Sequence, residues 1–215
     1  MEVVSAYATS GRLLEIGPAY GYFAYLAKEA GYTVEAIEMD ARCSDFLRGT
    51  IGIRVVNTAD TVSALGTMEP FDVIALWHVV EHLPDPWGTL AAAAQRLRPG
   101  GVLVIAAPNP EAFQFRILRG IWTHVDAPRH VRLIPMRTLR RQLAASGLTQ
   151  VHATTSDTAA RGWDWFGWEM SLFGFPPRNR HLRRLLHPLL RLLTRIDRFS
   201  GHGSAYTMVF RRESI

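Results

Sequence analysis

Two acidic side chains and a glycine turn near the amino terminus have the spacing of a site for a nucleotide-like ligand. The apolar run at 12–16 ends in Gly17, and the next apolar run, at 33–37, ends in Glu38. Gly17 has no side chain to keep a ligand away from the backbone, and a helix start beyond it offers unpaired amide N–H groups. A carboxylate at the end of the second strand can accept both hydroxyls of a ribose. The pattern therefore predicts a cofactor that contains a ribose.

The glycine spacing separates two classes of cofactor. A dinucleotide-binding turn has glycine at its first, third and sixth positions, which here are Gly17, Ala19 and Tyr22. The two replacements carry side chains where a diphosphate would approach, so a dinucleotide-dependent oxidoreductase is disfavoured. Glu15, at the end of the first strand, suits a positively charged ligand such as the ammonium or sulfonium of S-adenosylmethionine. We therefore predict S-adenosylmethionine as the cofactor.

Three segments resemble the motifs of one enzyme family. The run LLEIGPAYG at 13–21 resembles motif I of class I S-adenosylmethionine-dependent methyltransferases. The segment 71–111, with its VEHLPDP and LRPGG runs, is similar to the small-molecule branch that includes quinone-biosynthesis methyltransferases, and 126–148 also resembles that branch. The resemblance extends over about 12–212. It implies a methyltransferase that leaves S-adenosylhomocysteine as the product of the cofactor.

The elements that must position these residues form an α/β pattern. Amphipathic segments separate most of the apolar runs, and this alternation predicts a three-layer, doubly wound, mostly parallel sheet covered on both faces. The resemblance adds a Rossmann-like methyltransferase fold whose last strand runs antiparallel. We predict a single domain over 1–215, with substrate or lid insertions around 109–135 and 156–200. The predicted strands are 12–16, 33–37, 53–56, 71–77, 102–107, 148–155 and 205–211.

The cofactor site can be placed from the general behaviour of open α/β sheets. Their ligands bind at the carboxyl ends of the strands, where the strand order switches, and this selects four loops. Asp60 could accept a hydrogen bond from the adenine amino group, by analogy with an acidic residue of many relatives, or it could be a solvent-facing turn residue. The predicted cofactor-binding residues are Glu15, Gly17, Pro18, Ala19, Tyr20, Gly21, Phe23, Glu38, Met39, Asp60, Trp77 and His78.

Histidines supply the candidates for a general base. The sulfonium already activates the methyl group, so most of the rate depends on aligning nucleophile, methyl carbon and sulfur. A hydroxyl nucleophile also benefits from a nearby histidine. His130, in an APRH segment after the fifth strand, is the first candidate and His82 the second; a structural role for His130 is the alternative. We predict O-methylation of a small molecule, with a non-catalytic cofactor-binding module of the same fold as the runner-up.

The sequence HVVEH has two interpretations. His78, Glu81 and His82 have the spacing that places side chains on one helical face, so they could bind a divalent metal or position a base. Some quinone-biosynthesis relatives are associated with a metal, but these relatives have glutamate at the position of His78. Alternatively, Glu81 and His82 tie down the loop after the fourth strand while His78 lines the cofactor pocket. We favour this second interpretation and predict no bound metal.

Aromatic residues are concentrated in the two predicted insertions. They could stack against a planar or greasy acceptor, or they could form the core beneath a long lid. The spacing of Trp165 and Trp168 favours the core. The predicted substrate contacts are Asn109, Trp122 and Arg129, and the aromatic residues are Phe113, Phe115, Trp122, Trp163, Trp165, Phe166 and Trp168.

The segment 181–197 predicts a basic amphipathic helix. Its leucines recur three and four residues apart, whereas its arginines fall mostly elsewhere. Pro188 predicts a kink midway. The helix could lie on an anionic membrane surface, or its leucines could cover the sheet while the arginines face water. We favour the second interpretation and keep peripheral membrane contact as the alternative.

Composition limits the remaining possibilities. A chain of 215 residues that is 48% hydrophobic has the length of one domain with a sizeable core. Its apolar runs are shorter than the roughly 20 residues needed to cross a bilayer, so we expect a cytoplasmic or membrane-associated protein. Cys43 is the only cysteine and has no internal partner. A nucleic-acid partner is not expected, because the segment after the fourth strand reads HVVE, unlike that of enzymes that methylate bases.

Overall fold

A mixed β-sheet forms the centre of the computed structural model, which describes residues 1–174 and 180–213. The strands are β1 (Gly11–Ile16), β2 (Tyr32–Glu38), β3 (Arg54–Asn57), β4 (Phe71–Trp77), β5 (Leu97–Pro108), β6 (Leu148–Thr154) and β7 (Ala205–Arg212). Their order within the described residues is β3-β2-β1-β4-β5-β7-β6, with β7 antiparallel to both of its neighbours and the other pairs parallel. All seven predicted strands and the antiparallel last strand are confirmed.

Helices cover both faces of the sheet. A π-helical turn at Leu47–Ile51 extends α3, and 3-10 turns at Arg119–Ile121 and Thr123–Val125 follow α6. The helices are α1 (Glu2–Ser5), α2 (Tyr22–Glu29), α3 (Ala41–Phe46), α4 (Thr61–Thr67), α5 (Pro86–Gln95), α6 (Phe113–Leu118), α7 (Met136–Ala145), α8 (Thr158–Phe173) and α9 (Arg180–Ser200).

Two apolar cores lie on opposite faces of the sheet, which gives the predicted three layers. Leu14 and Ile74 belong to the core that includes residues of α4, α5 and α7. Their chain neighbours Leu13 and Val73 belong to the core under α1 and α2. Successive side chains of a strand point to opposite faces, so strands buried on both sides appear in the sequence as continuous apolar runs.

A third apolar core joins the helices that follow β5 and β6. We call α6, α8, α9 and the 3-10 turns after α6 the lid, because they correspond to the predicted insertions 109–135 and 156–200. Residues 175–179 of the second insertion lie outside the described residues. The buried side chains of this core are Ala112, Leu118, Trp122, Trp168, Phe173 and Leu190.

Across residues 1–174 and 180–213, no helix is both long enough and apolar enough to cross a bilayer.

Candidate functional site

The turn between β1 and α2 requires glycine at Gly17. Its φ is +68°, and its N–H donates to the carbonyl oxygen of Ile37, at the end of β2, at 2.8 Å. A Cβ on Gly17 would lie 2.8 Å from Cγ2 of Val79. The backbone therefore comes close to the loop after β4, and any side chain at this position would collide with Val79.

Glu38 connects this turn to the end of β2. Its buried carboxylate accepts the N–H of Ala19 at 2.9 Å through Oε2 and the N–H of Asp40 at 2.8 Å through Oε1. Ala19 has φ of +51°, an unfavourable backbone conformation for a residue with a Cβ, and the hydrogen bond from its N–H helps to hold it there. Each carboxylate oxygen has a further lone pair, so Glu38 can hold the turn and still accept ribose hydroxyls.

Glu15 is a buried carboxyl group beside that turn. Burial, reinforced by the negative charge of Glu38, raises the pKa of Glu15 to about 8. Its Oε2 has no hydrogen-bond partner among the described residues. A positively charged group placed here would favour the ionised carboxylate, which is the property expected of a contact to an ammonium or sulfonium.

Two aromatic rings lie beside this turn, one in α2 and one at the end of β4. Phe23 and Trp77 pack with ring centroids 5.1 Å apart, and no described residue accepts the buried indole N–H of Trp77. His78 has φ of +56°, and its N–H donates to Ala106 on β5 at 2.8 Å. This backbone conformation turns His78 out of the strand direction.

The remaining predicted cofactor residues have exposed side chains or lie within the turn. Tyr20 and Met39 are exposed, and Tyr20 packs edge-on against Phe46. Asp60 caps α4 by accepting the N–H of Ser63 at 3.0 Å, and hydrogen bonds from Ser63 hold the pKa of Asp60 below its usual value. Pro18 and Gly21 complete the turn, Gly21 with φ of +72°.

A cavity of about 300 Å³ lies between the loop after β4 and the lid. Two of its histidines have their ring orientation fixed by carbonyl oxygens. His82 Nδ1 lies 2.9 Å from the Arg129 oxygen, and His130 Nδ1 lies 2.7 Å from the His124 oxygen. A carbonyl only accepts, so Nδ1 must carry the hydrogen, and the neutral ring then has an unprotonated Nε2. The cavity is lined by His78, Glu81, His82, Thr123, His124, Asp126, Arg129, His130, Trp163 and Phe166, together with Pro108.

Glu81 supplies a buried carboxylate to this cavity. The residue is 1% exposed, and neither carboxylate oxygen has a hydrogen-bond partner within the described ranges. The nearest basic nitrogen, Nδ1 of His78, is 3.5 Å from Oε1. One ligand atom each from Glu81, His82 and His130 lie within 4.8 Å of one another. These groups can act as a general base, or they can hold a divalent cation through two nitrogens and a carboxylate.

The loop HVVEH is a turn, so the predicted helical face is wrong. The chain makes bends and turns from His78 to Asp85, and α5 begins only at Pro86, with Asp85 accepting the N–H of Gly88 at 3.0 Å. Proline is tolerated in the first turn of a helix but not in its interior. Some of the hydrogen bonds expected to hold this loop are present. The main-chain oxygen of Glu81 accepts the N–H of Val131 at 2.9 Å.

His124 was missed by the sequence analysis. It is buried, and burial, with a further contribution from the charge of His78, lowers the pKa of His124 to about 3. The ring is therefore neutral, and its main-chain oxygen orients His130. The only sequence signal is its position six residues before His130 in the same predicted insertion.

The predicted aromatic cluster divides between the cavity and the lid core. Trp163 packs on His78 with ring centroids 4.5 Å apart, and Phe166 packs edge-on to Trp163 at 5.4 Å. Trp168 is buried in the lid core and donates its indole N–H to Asp197 at 2.7 Å. The core interpretation therefore holds for Trp168, whereas Trp163 and Phe166 line the cavity.

Two of the three predicted substrate residues have structural contacts. Asn109 is fully buried and donates to the Gly203 oxygen at 2.9 Å. Trp122 is 1% exposed, and its indole N–H donates to Gln114 at 3.0 Å. The polar side-chain groups of these two residues are therefore already paired within the protein, which leaves them poorly placed to contact an acceptor. Arg129 is exposed at the cavity and forms an ion pair with Asp126.

Comparison with known proteins places this geometry in context. The sequence model of the family described as "Methyltransferase domain" matches residues 3–153. A ubiquinone biosynthesis O-methyltransferase of Saccharophagus degradans is 28% identical over 114 residues, which cover 50% of this chain and 48% of that protein. The enzyme of the same name from Bordetella bronchiseptica is 29% identical over 134 residues, covering 59% of this chain and 53% of the relative. The chain thus spans about half the length of these two relatives.

Solved structures share the fold at low identity. A SAM-dependent methyltransferase from Archaeoglobus fulgidus superimposes with a TM-score of 0.67 and 20% identity, covering 98% of this chain and 90% of that one. The [4+2]-cyclase SpnF superimposes with a TM-score of 0.66 and 13% identity, covering 100% of this chain and 80% of that one. Proteins named for different reactions therefore share this architecture.

Proposed function

The chain belongs to the methyltransferase domain family, and we propose that it transfers a methyl group from S-adenosylmethionine to a hydroxyl group of a planar small molecule. Family membership confirms the resemblance predicted from the motifs and supports S-adenosylmethionine as the cofactor. The main support for a hydroxyl acceptor is a pair of histidines, His82 and His130, which can act as a base. Their Nδ1 atoms face carbonyl oxygens at the cavity.

Two features at the end of β1 fit S-adenosylmethionine. Gly17 carries no side chain, so the methionine part of the cofactor can approach the backbone of the turn. Glu15 is a buried carboxyl with an unpartnered oxygen, which suits the positive charge of the cofactor. In the proposed complex Glu38 accepts the ribose hydroxyls, and the Phe23–Trp77 pair provides an apolar wall.

The proposed chemistry is an in-line displacement. When bound, S-adenosylmethionine would supply an electrophilic methyl group, and its sulfur would keep the electron pair of the carbon–sulfur bond as the methyl group moves to the acceptor oxygen. His130 Nε2 would accept the proton that the acceptor hydroxyl loses. The His124 oxygen keeps the His130 ring in the tautomer that can accept this proton.

The rest of the cavity supports the acceptor class. Trp163 and Phe166 provide aromatic surfaces against which a planar acceptor can stack. The ubiquinone biosynthesis relatives are named O-methyltransferases, and this supports oxygen as the atom methylated. His82, which faces His130 with ring centroids 4.7 Å apart, is the second candidate for the base.

A second candidate function is a cofactor-binding protein of the same fold that does not transfer methyl groups. The similarity to a structure named as a cyclase supports this second candidate, because the fold alone does not determine the reaction.

Calorimetric titration with S-adenosylmethionine, S-adenosylhomocysteine and NADH, followed by assays of labelled methyl transfer to simple phenols and catechols, tests the proposal. We expect micromolar binding of the first two ligands, no binding of NADH, and transfer to an oxygen. Cofactor binding without transfer to any acceptor would favour the second candidate, and NADH binding alone would overturn both.

Treatment with a chelator separates the two uses of the Glu81, His82 and His130 cluster. If His130 acts as a base, turnover should be unaffected after chelator treatment and removal of divalent cations. A loss of turnover that Mg²⁺ or Zn²⁺ restores would instead assign the cluster to a bound cation.

A further inference from the structure

Helix α9 has two apolar faces: one packs against the lid core, and the other is exposed in the part of the chain that the structure describes. Leu190 is buried in the lid core, and Leu186 and Leu193 pack against that core. The packed leucines therefore cover the lid core and not the sheet that they were expected to cover.

The second face is exposed. Its five side chains are spaced three, four, three and four residues apart, so they form one stripe along the helix. At 1.5 Å per residue the stripe is about 20 Å long. Continuous exposed apolar surface of this kind marks an interaction site. Its members are Leu182 (44% exposed), Leu185 (76%), Leu189 (48%), Leu192 (54%) and Ile196 (39%).

Positive charge follows one border of this stripe. Arg184, Arg191 and Arg195 are exposed, and their spacing of seven and four residues places them together on the adjacent strip of the helix. Within residues 1–174 and 180–213, no acidic side chain forms an ion pair with any of the three, whereas Arg183 on the packed side pairs with Glu169. The one acidic residue of α9, Asp197, is buried.

We propose that this exposed face of α9 docks the protein on an anionic lipid surface. The leucine stripe would enter the boundary between headgroups and acyl chains, and the arginines would contact lipid phosphates. The helix lies in the plane of the surface and does not cross it. This inference concerns α9 alone and does not depend on the proposed reaction.

A second copy of the chain is a poorer occupant of the stripe. A two-fold interface brings the same surface of each copy together, so both arginine strips would border the contact, and with the helices antiparallel they would face each other along one side. Like charges placed opposite one another are unfavourable. An anionic bilayer supplies both apolar surface and opposite charge.

Co-sedimentation of the full chain with vesicles tests the proposal. We expect binding to vesicles of phosphatidylcholine with phosphatidylglycerol. Binding should be at least about tenfold weaker with phosphatidylcholine alone, and weaker again in about 1 M salt, because salt screens the arginine contribution. Equal binding to both vesicle types, or none to either, would overturn the proposal.

Matched charge variants make the test specific. Arg191→Gln with Arg195→Gln removes two positive charges from the border, and Arg140→Gln with Arg141→Gln removes two exposed charges from α7. At about 1 kcal/mol per arginine near the surface, the first pair should weaken binding to anionic vesicles about 10- to 30-fold, and the second pair much less. Equal losses would show a general effect of net charge and contradict the assignment to α9.

The apolar stripe is tested by Leu185→Ser with Leu189→Ser. Both positions are exposed, so circular dichroism should show an unchanged fold while vesicle binding is lost. Analytical ultracentrifugation of the wild type and this variant detects the alternative occupant. If the wild type is a dimer, the variant is a monomer and neither binds vesicles, the stripe binds a second copy of the chain and not a lipid surface.

Discussion

The two sides of the proposed site are built over different distances along the chain. At the cofactor edge, Glu38 holds the N–H of Ala19, only 19 residues away, within one strand–helix–strand unit. At the histidine cavity, His82 contacts the carbonyl of Arg129, 47 residues away, and His78 packs against Trp163 of the lid. The cofactor edge is therefore a local structure, and the cavity exists only when the lid is docked.

The carboxylates of the two sides differ in their hydrogen bonding. Glu38 accepts two main-chain N–H groups, whereas neither oxygen of Glu81 has a hydrogen-bond partner within the described residues. Perturbing the lid should therefore affect acceptor chemistry and spare cofactor binding, whereas perturbing Glu38 should affect cofactor binding first.

The largest expected effect is on turnover. His130→Ala should lower kcat about 10²- to 10⁴-fold at saturating cofactor, because it removes the proposed base, and the Kd for S-adenosylmethionine should be unchanged. Rapid-quench assays and calorimetry measure the two quantities. His152→Ala, on β6 outside the cavity, is the control.

A conservative variant distinguishes the base from a structural role. His130→Asn keeps an N–H that can donate to the His124 oxygen but cannot accept the proton. Rescue of turnover by asparagine would show that His130 only supports the loop.

The next effect is on cofactor affinity. Glu38→Ala should weaken S-adenosylmethionine binding about 10- to 100-fold, since hydrogen bonds to a charged group contribute about 1.5–3 kcal/mol. It should also lower the free energy of unfolding by about 1–3 kcal/mol, because the N–H groups of Ala19 and Asp40 lose their acceptor. Calorimetry and urea denaturation measure these quantities. Glu29→Ala, exposed on α2, should change neither, and unchanged affinity in Glu38→Ala would remove Glu38 from the cofactor site.

A smaller effect is expected from pH. The pKa of Glu15 is about 8 in the free protein, so its carboxyl is protonated at neutral pH, and a positively charged ligand must displace that proton. Affinity for S-adenosylmethionine should therefore rise with pH between 6 and 7.5, by at most about tenfold per unit. Calorimetry in two buffers of different ionisation enthalpy should detect proton release. Glu15→Gln should release none, and equal proton release by this variant would assign the proton elsewhere.

The smallest effect concerns the stability of the lid. Trp168→Phe removes the N–H donor to Asp197 and should lower the free energy of unfolding by about 1–2 kcal/mol, with cofactor affinity unchanged. Urea denaturation and limited proteolysis measure the change. Trp87→Phe, whose indole N–H bonds to no described residue, is the matched control. A parallel loss of cofactor affinity in Trp168→Phe would show that the two sides are coupled.

Much of the fold could be predicted from the sequence. All seven strands were found, and β1, β4 and the second half of β5 appear as apolar runs because they are buried on both faces of the sheet. The leucine pattern of 181–197 gave the helix but not the division between a packed and an exposed face, since spacing alone does not show which neighbours a helix meets. The helical interpretation of HVVEH failed because Pro84 and Pro86 follow it closely and α5 begins only at Pro86.

The sequence by itself determined the glycine turn, the carboxylates at the ends of β1 and β2, and the α/β architecture, because these depend on backbone conformation and on periodicity within a few turns of the chain. Only the tertiary structure brought His82 and His130 together at Glu81, placed His124 behind them, and left one apolar face of α9 exposed. Those contacts depend on how the lid packs on the sheet. That packing is set by the summed burial of many side chains, and no local pattern records which distant residues it brings into contact.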